Sequence, residues 1–293
     1  MKPPRFDYED PRTLPEALAL LRQHGEDAKV LAGGQSLVPA LNMRLTAPRL
    51  LVDLNRIPEL AYIRSDGDML AIGAMTRHAE VEHSPLVADW QPLLREAVRH
   101  VGHVQIRNRG TVGGSLAHAD PAAELPAVWA CLDGRFRIAG TGGVREVGPD
   151  DFFVMYYTTC IEPGEILVEV RLPRLPETAG YAFVEMARRS GDFAIVGVAC
   201  VVDMGGDGAV REARIALTGV GTTPIRARGA EAVLQGERPG EKVFAEAGRK
   251  VREAVEPESD IHATAEYRRH LSDVLTRRAL RLAVRQAQRG AEA

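Results

Sequence analysis

Two glycine pairs beside small hydroxyl residues are the parts of the chain best suited to chemistry: Ala32-Gly33-Gly34-Gln35-Ser36-Leu37 and Thr111-Val112-Gly113-Gly114-Ser115. Paired glycines let the backbone take positive φ and let a ligand reach main-chain N–H groups that a Cβ would shield. Where a helix follows, its unpaired N-terminal N–H groups extend the same anion-favouring concavity. Leu37 to Met43 reads as such a helix, fed by a short strand over Lys29 to Leu31. A single turn of this kind also suits a hairpin or a helix cap. Two matched turns in one chain point to a bound diphosphate.

The remaining chemical candidates leave their roles open. His100 and His103 flank a helix end and form no metal-ligand cluster, and His118 reads either as a loop histidine beside a ligand or as a base. Asp120 and Glu124 stand at i, i+4 spacing. They suit paired acid/base work, hydrogen bonds to ligand hydroxyls, or the acidic first turn that a helix dipole favours. Arg107 and Arg109 either neutralise a phosphate or face a partner. Cys131, Cys160 and Cys200 are widely spaced, without a Cys-x-x-Cys, and give no disulfide, zinc or iron–sulfur framework. They read as reduced, small apolar residues, so any iron–sulfur carrier belongs on another chain. Walker A, Gly-x-Gly-x-x-Gly and Gly-x-Ser-x-Gly patterns are all absent, which argues against a P-loop, a standard dinucleotide fold and a serine hydrolase.

These residues need a scaffold, and 293 residues are enough for two domains. Apolar content of 45% and charged content of 26% are ordinary for a globular protein. The net charge of −3, with no basic stripe, gives no electrostatic case for nucleic acid. Met1 to Tyr8 lacks a signal-type apolar segment and no run reaches membrane-spanning length, so the expected location is cytoplasmic.

Thr13-Leu14-Pro15-Glu16 has capping-box spacing and starts a helix that Gly25 ends. Strands are expected at Arg49–Leu54, at Leu60–Arg64 and Met69–Gly73 around an Asp66-Gly67 hairpin, at Phe136–Ala139, at Gly143–Val147 and at Ile166–Leu172. Thr76 is placed to cap a helix through His78–Glu82; Leu93–Val101 and Asp120–Leu132 read as further helices. Pro173 to Glu177 makes a stiff connector and sets a domain boundary there. Beyond it come antiparallel strands at Tyr181–Ala187, Ile195–Met204 and Val210–Leu217, then helices at Ala227–Leu234, Val243–Val255 and Ala265–Gln288, with Arg289–Ala293 a frayed tail.

Ala32–Ser36, taken with Gln105-Ile106-Arg107-Asn108-Arg109-Gly110-Thr111-Val112-Gly113-Gly114-Ser115, resembles the paired FAD-binding motifs of the medium, flavoprotein subunit of molybdenum hydroxylases. The likeness is to the aerobic carbon monoxide dehydrogenase type, related to the FAD domain of xanthine dehydrogenase. It extends to Glu165-Ile166-Leu167, Arg189-Ser190-Gly191-Asp192-Phe193-Ala194 and Ala265–Leu271, and so covers nearly the whole chain.

The resemblance implies an α+β protein. Residues 1–177 would be a bipartite FAD-binding domain of the PCMH, vanillyl-alcohol-oxidase-like type, with subdomains 1–55 and 56–177. Residues 178–293 would be an α+β C-terminal domain with a three-stranded antiparallel sheet and helices. It further implies that Ala32, Gly33, Gly34, Gln35, Ser36 and Leu37, with Thr111, Gly113, Gly114 and Ser115, hold the FAD diphosphate through main-chain N–H groups and the Ser36, Thr111 and Ser115 hydroxyls. Val101 would be an apolar wall, Asp120 and Glu124 polar contacts to the ribityl and adenosine side, Leu167 an adenine-side contact, and Phe193 an aromatic beside the isoalloxazine. Glu185 stands where relatives often carry Lys, and Gln35 and Ser115 replace the His and the Asn or Asp common in these motifs.

By the same resemblance the chain is an electron-transfer subunit that contributes no catalytic acid or base and binds no metal. It would work with a small [2Fe–2S] subunit and a large molybdopterin subunit, as a dimer of heterotrimers, and pass electrons to a quinone, NAD or oxygen. The alternatives are a stand-alone FAD-dependent oxidase or reductase and a nucleotide-binding scaffold subunit that has lost FAD.

Overall fold

Three larger sheets and one two-stranded hairpin, with their helices, make up the molecule, which the computed structural model describes over residues 2–292. Met1 and the Ala293 end of the expected tail lie outside these residues. The first sheet is parallel, with β1 (Asp7–Glu9), β2 (Ala28–Leu31) and β3 (Leu50–Asp53) in the order β1-β3-β2. Helix α1 (Leu14–His24) buries Ala17 and Leu21 against it. Thr13 caps α1, accepting the Glu16 N–H at 3.4 Å, while Glu16 reaches back to the N–H of Arg12 at 2.9 Å. Helix α2 (Leu37–Asn42) follows the first glycine pair.

The second sheet is antiparallel. Strands β4 (Ile63–Asp66), β5 (Met69–Gly73), β6 (Arg135–Gly140) and β7 (Gly143–Val147) are joined, past a small hairpin of β8 (Phe153–Met155) and β9 (Thr158–Thr159), by β10 (Ile166–Pro173). Their order is β4-β5-β10-β6-β7, which puts β10 at the centre. Its alternation explains the position: Val170 and Leu172 face the core, while buried Glu169 turns to the other side. There it accepts from Arg137 at 2.9 Å, Arg171 at 2.6 Å and Arg64 at 3.2 Å, and from the Tyr62 hydroxyl. Against the cost of burial, these donors hold its carboxyl down to about 2.

Helices α3 (His78–His83), α4 (Pro85–Trp90), α5 (Pro92–Val98), α6 (Val104–Arg109), α7 (Val112–His118), α8 (Glu124–Cys131) and α9 (Pro149–Phe152) accompany this sheet. Every residue of α8 is buried. Two expectations change here. Thr76 is 1% exposed and exchanges hydrogen bonds with the Tyr62 backbone, so it ties a loop, and Arg77 takes the N-cap position of α3. Asp120–Ala123 is a turn and α8 starts only at Glu124, because Asp120 accepts the Ala122 N–H at 2.9 Å and competes with a helical start.

The third sheet runs β11 (Ala179–Ala187), β12 (Ala194–Met204), β13 (Val210–Thr218) and β14 (Ile225–Arg226) in that order, so the expected three strands gain a fourth of two residues. Helices α10 (Arg228–Leu234), α11 (Glu241–Ala254) and α12 (Ala265–Glu292) cover one face. Strand β12 is apolar along nearly its whole length because both of its faces are buried. Val198, Cys200 and Val202 join the core under α11 and α12, whereas Ala199 and Val201 join the core that contains α5 and α8. The closest approach is at Gly180, where an added Cβ would meet the Ala283 carbonyl of α12 and lie 2.6 Å from the Ala287 nitrogen. Gly180→Ala is therefore expected to cost about 2 kcal/mol of stability, read as a lower denaturation midpoint, since backbone on both sides has nowhere to retreat.

Candidate functional site

The parallel pair β2 and β3 ends with Leu31 opposite Asp53, and the carboxyl ends of parallel strands are where α/β sheets receive ligands. From that end β2 turns through Ala32–Ser36 into α2. Gly34 has φ +72°, which lets the chain fold back on itself, and the Gln35 side-chain amide donates to the Gly33 carbonyl at 3.1 Å. None of the N–H groups of Gly33, Gly34, Gln35, Ser36 and Leu37 donates to a protein acceptor among the described residues. The Ser36 hydroxyl makes no capping bond either. Such a run of unused donors requires an outside acceptor, water or anion. It borders a cleft of ≈ 330 Å³ that Arg109, Asp53 and Asn55 also line.

The second glycine segment works differently from the expectation of free donors. Thr111 is the N-cap of α7, 1% exposed, and its Oγ1 accepts the Gly114 N–H at 3.1 Å. Val112 donates to the Thr76 carbonyl at 3.0 Å, Gly113 to Ala74 at 2.8 Å and Ser115 to Thr111 at 3.0 Å. These donors and the Thr111 hydroxyl are thus engaged within the protein, and the glycines serve close packing. A Cβ at Gly113 would meet the Ala74 side chain, with the Ala74 carbonyl oxygen at 2.7 Å. Buried His78 backs the same segment: its N–H donates to the Gly110 carbonyl at 3.0 Å, and burial pushes its imidazole down to about 4.

The two segments touch. A Cβ at Gly33 would strike the Arg109 carbonyl and lie 2.7 Å from Gly110 Cα, and one at Gly114 would lie 3.4 Å from Ala32 Cβ. Ala32, Gly33, Gly110 and Gly114 are therefore one surface built from distant stretches of chain. The two arginines separate in role. Arg107 is committed to the protein, pairing with Glu82 at 2.8 Å and donating to the carbonyls of Val101 and Gly102 at 3.2 Å. Arg109 is exposed on the cleft and has no carboxylate partner among the described residues.

Asp120 and Glu124 lie where the helical layer meets the third sheet. Thr218 donates to the Pro121 and Ala123 carbonyls at 2.7 and 2.8 Å and pins the intervening turn. Burial raises the Asp120 carboxyl and pushes Glu124 up to about 7. On β11, Glu185 is pushed up to about 8 by burial and by the neighbouring Glu124, and its Oε2 has no hydrogen-bond partner among the described residues. His118 packs on the Tyr157 ring at 5.1 Å, and burial lowers its pKa, against the opposing pull of Asp120. Leu167 is a core residue, 5% exposed, opposite Ile138 on β6. Val101 is half-buried on a loop pinned by Arg107, and the β11–β12 loop crosses next to it, with Gly191 against the His103 ring. That loop carries Phe193, 69% exposed.

Sequence reasoning missed Asp53, Asn55 and Arg77. Asp53 and Asn55 follow from the carboxyl-end rule once β2 and β3 are known to be parallel neighbours, a pairing that short apolar runs do not reveal. A hollow of ≈ 410 Å³ between α11 and α12, lined by Arg252, Thr264, Glu266, Tyr267 and His270, lacks a comparable donor set. There the Ala265 and Tyr267 N–H groups are taken by Ser259 and Thr264.

Known proteins resemble the chain over nearly its whole length. Residues 4–175 match the family described as "FAD binding domain in molybdopterin dehydrogenase", and residues 181–283 match "CO dehydrogenase flavoprotein C-terminal domain". The chain is 43% identical to the 6-hydroxypseudooxynicotine dehydrogenase complex subunit alpha of Paenarthrobacter nicotinovorans, over 98% of this chain and 97% of that one. It is 41% identical to the caffeine dehydrogenase subunit beta of Pseudomonas sp. strain CBB1, over 96% of this chain and 95% of that one. Among solved structures, a chain of carbon monoxide dehydrogenase from Hydrogenophaga pseudoflava lacking the Mo-pyranopterin moiety superposes with a TM-score of 0.96 at 40% identity, covering 98% of this chain and 99% of that one.

Proposed function

The chain belongs to the FAD-binding medium subunits of the molybdenum hydroxylases, and from that premise we propose that its two glycine segments hold one FAD between them. It is an oxidoreductase subunit that works with a small [2Fe–2S] subunit and a large molybdopterin subunit. When bound, FAD supplies the redox chemistry that links the iron–sulfur clusters to an external acceptor. The protein's own residues bind, orient and shield it.

The observation that carries this reading is the run of five unused main-chain N–H groups, Gly33 to Leu37, of which Gly33, Gly34 and Gln35 line a cleft. Those donors, with the Ser36 hydroxyl, suit the diphosphate oxygens, and Arg109 adds positive charge beside them. Ala32 and Gly114 form the wall where the halves meet, with Ser115 next to it and Gly113 packed behind it on Ala74. Asp120 and Glu124 are assigned to the ribityl and adenosine side, Val101 and Leu167 to apolar walls, and Phe193 to the isoalloxazine edge, where it limits solvent.

We further assign residues 1–177 to the FAD-binding domain, in subdomains 1–55 and 56–177, and residues 178–293 to the C-terminal domain. The assembly we propose is a dimer of heterotrimers in the cytoplasm, a reducing compartment that suits the free cysteines. Relatives belong to complexes named for carbon monoxide, caffeine and 6-hydroxypseudooxynicotine. The substrate pocket belongs to the large subunit, and a subunit of this family accompanies each of those chemistries.

The purified chain is expected to be yellow, with one FAD per polypeptide by absorbance and by release on denaturation. A colourless preparation that takes up no FAD on reconstitution would sink the proposal.

A further inference from the structure

We infer that Asn55 and Arg77 form a brace that clamps the two halves of the proposed FAD site together and orients the donors of the first half; both are positioning residues. The inference rests on the FAD reading above and goes beyond it, since neither residue belongs to a glycine segment.

The brace is a chain of hydrogen bonds. Asn55, in the turn after β3, donates from Nδ2 to the Ala32 carbonyl at 2.9 Å. Its Oδ1 accepts from Arg77 Nη2 at 2.5 Å, and Arg77 Nη1 donates to the Arg109 carbonyl. Ala32 belongs to the first half and Arg109 to the second, so one side-chain pair spans the seam. Behind it, Asp53 accepts the Asn55 N–H at 2.9 Å and the Tyr8 hydroxyl at 2.6 Å. The hydrogen bond to Asp53, helped by burial, pushes the Tyr8 phenol up to about 12, so this donor keeps its proton at working pH.

Peptide geometry converts the anchor into ligand chemistry. In a trans peptide the C=O of one residue and the N–H of the next point in opposite directions, and no peptide among the described residues is cis. Holding the Ala32 carbonyl toward Asn55 therefore aims the Gly33 N–H away from it, as the first of the unused donors. Without Asn55 that peptide is free to flip and present an oxygen to the diphosphate. An amide at position 55 both donates to Ala32 and accepts from Arg77, which a carboxylate cannot do. Charge adds to the effect, because Arg77 and Arg109 lie close enough to lower the Arg77 pKa, after burial, and neither forms a salt bridge among the described residues. A bound anion relieves that like-charge contact.

The test is FAD titration and FAD dissociation rate on the full chain, with melting of the FAD-free form measured alongside. Asn55→Asp keeps the shape but loses the donor, and is expected to weaken FAD binding about ten- to a hundredfold while the FAD-free melting temperature stays near wild type. Arg77→Lys keeps the charge but cannot span both acceptors, and is expected to fall between wild type and Arg77→Ala. The double variant Asn55→Asp with Arg77→Ala should be no weaker than its worse parent, since both break one connection. Wild-type affinity and dissociation rate in Asn55→Asp and Arg77→Ala, beside a wild-type chain that binds FAD, would overturn the brace alone. A wild-type chain that takes up no FAD would overturn the site and the brace with it.

Discussion

Gly33→Ala is expected to yield a chain that folds but retains little flavin, with FAD affinity reduced about tenfold to more than a hundredfold. The reason is contact between backbones. A Cβ at position 33 would strike the Arg109 carbonyl and sit 2.7 Å from Gly110 Cα, so no side-chain rotamer relieves it. The first half must then back away from the second, at a cost of about 1 to 3 kcal/mol that falls mainly on the seam of the proposed FAD site. Gly206→Ala is the control, since a Cβ there meets nothing within 4 Å. Flavin content per chain and titration of the FAD-free form measure the effect. Stoichiometric flavin at wild-type affinity in Gly33→Ala would show that the segments do not need their close approach.

Glu185→Gln should flatten the loss of stability as pH rises from about 4.3 to about 8. The carboxyl is raised to about 8 in the native chain by burial and by Glu124, against about 4.3 in an unfolded one. Between those values the native state holds the extra proton. Stability from this group is therefore complete below the unfolded pKa and is lost as pH rises through 8. Glutamine keeps the shape and cannot ionise, so at pH 9 the variant is expected to gain about 2 kcal/mol over wild type, a figure reduced for the partial exposure of the side chain. Some slope persists because Glu124, raised to about 7, titrates in the same direction. Denaturant melts at pH 5, 7 and 9 measure this, and parallel stability curves for the two proteins would refute it. Glu185→Lys would set a cation beside Glu124 and draw that carboxyl back toward the ordinary range.

Much of the scaffold was legible because its signals are local. Thr13 and Pro15 announce α1, the Asp66-Gly67 hairpin joins β4 to β5, and the alternation of Ile166, Val168, Val170 and Leu172 marks β10. Thr76 misled because capping chemistry depends on what else the hydroxyl can reach, and the Tyr62 backbone reached it first. The glycines of 113–114 misled in a related way. The composition of a phosphate turn is also that of a tight helix start, and here Ala74 and Thr111 claim the donors. The apolar run of β12 marks a strand buried on both faces, but not that one face belongs to a core shared with α5 and α8.

By itself the sequence determined the elements, the presence of two glycine segments and, through their ordered motifs, the FAD-binding family. These are properties of neighbouring residues, governed by backbone freedom, capping and periodicity. Only the tertiary structure decided which segment offers free donors, that Gly33 lies on Gly110, and that Asn55 and Arg77 tie the two halves together. Those facts depend on which strand ends meet in the parallel sheet and on which acceptors are already taken. Competition of that kind is settled in space, between residues too far apart in the chain for their spacing to record it.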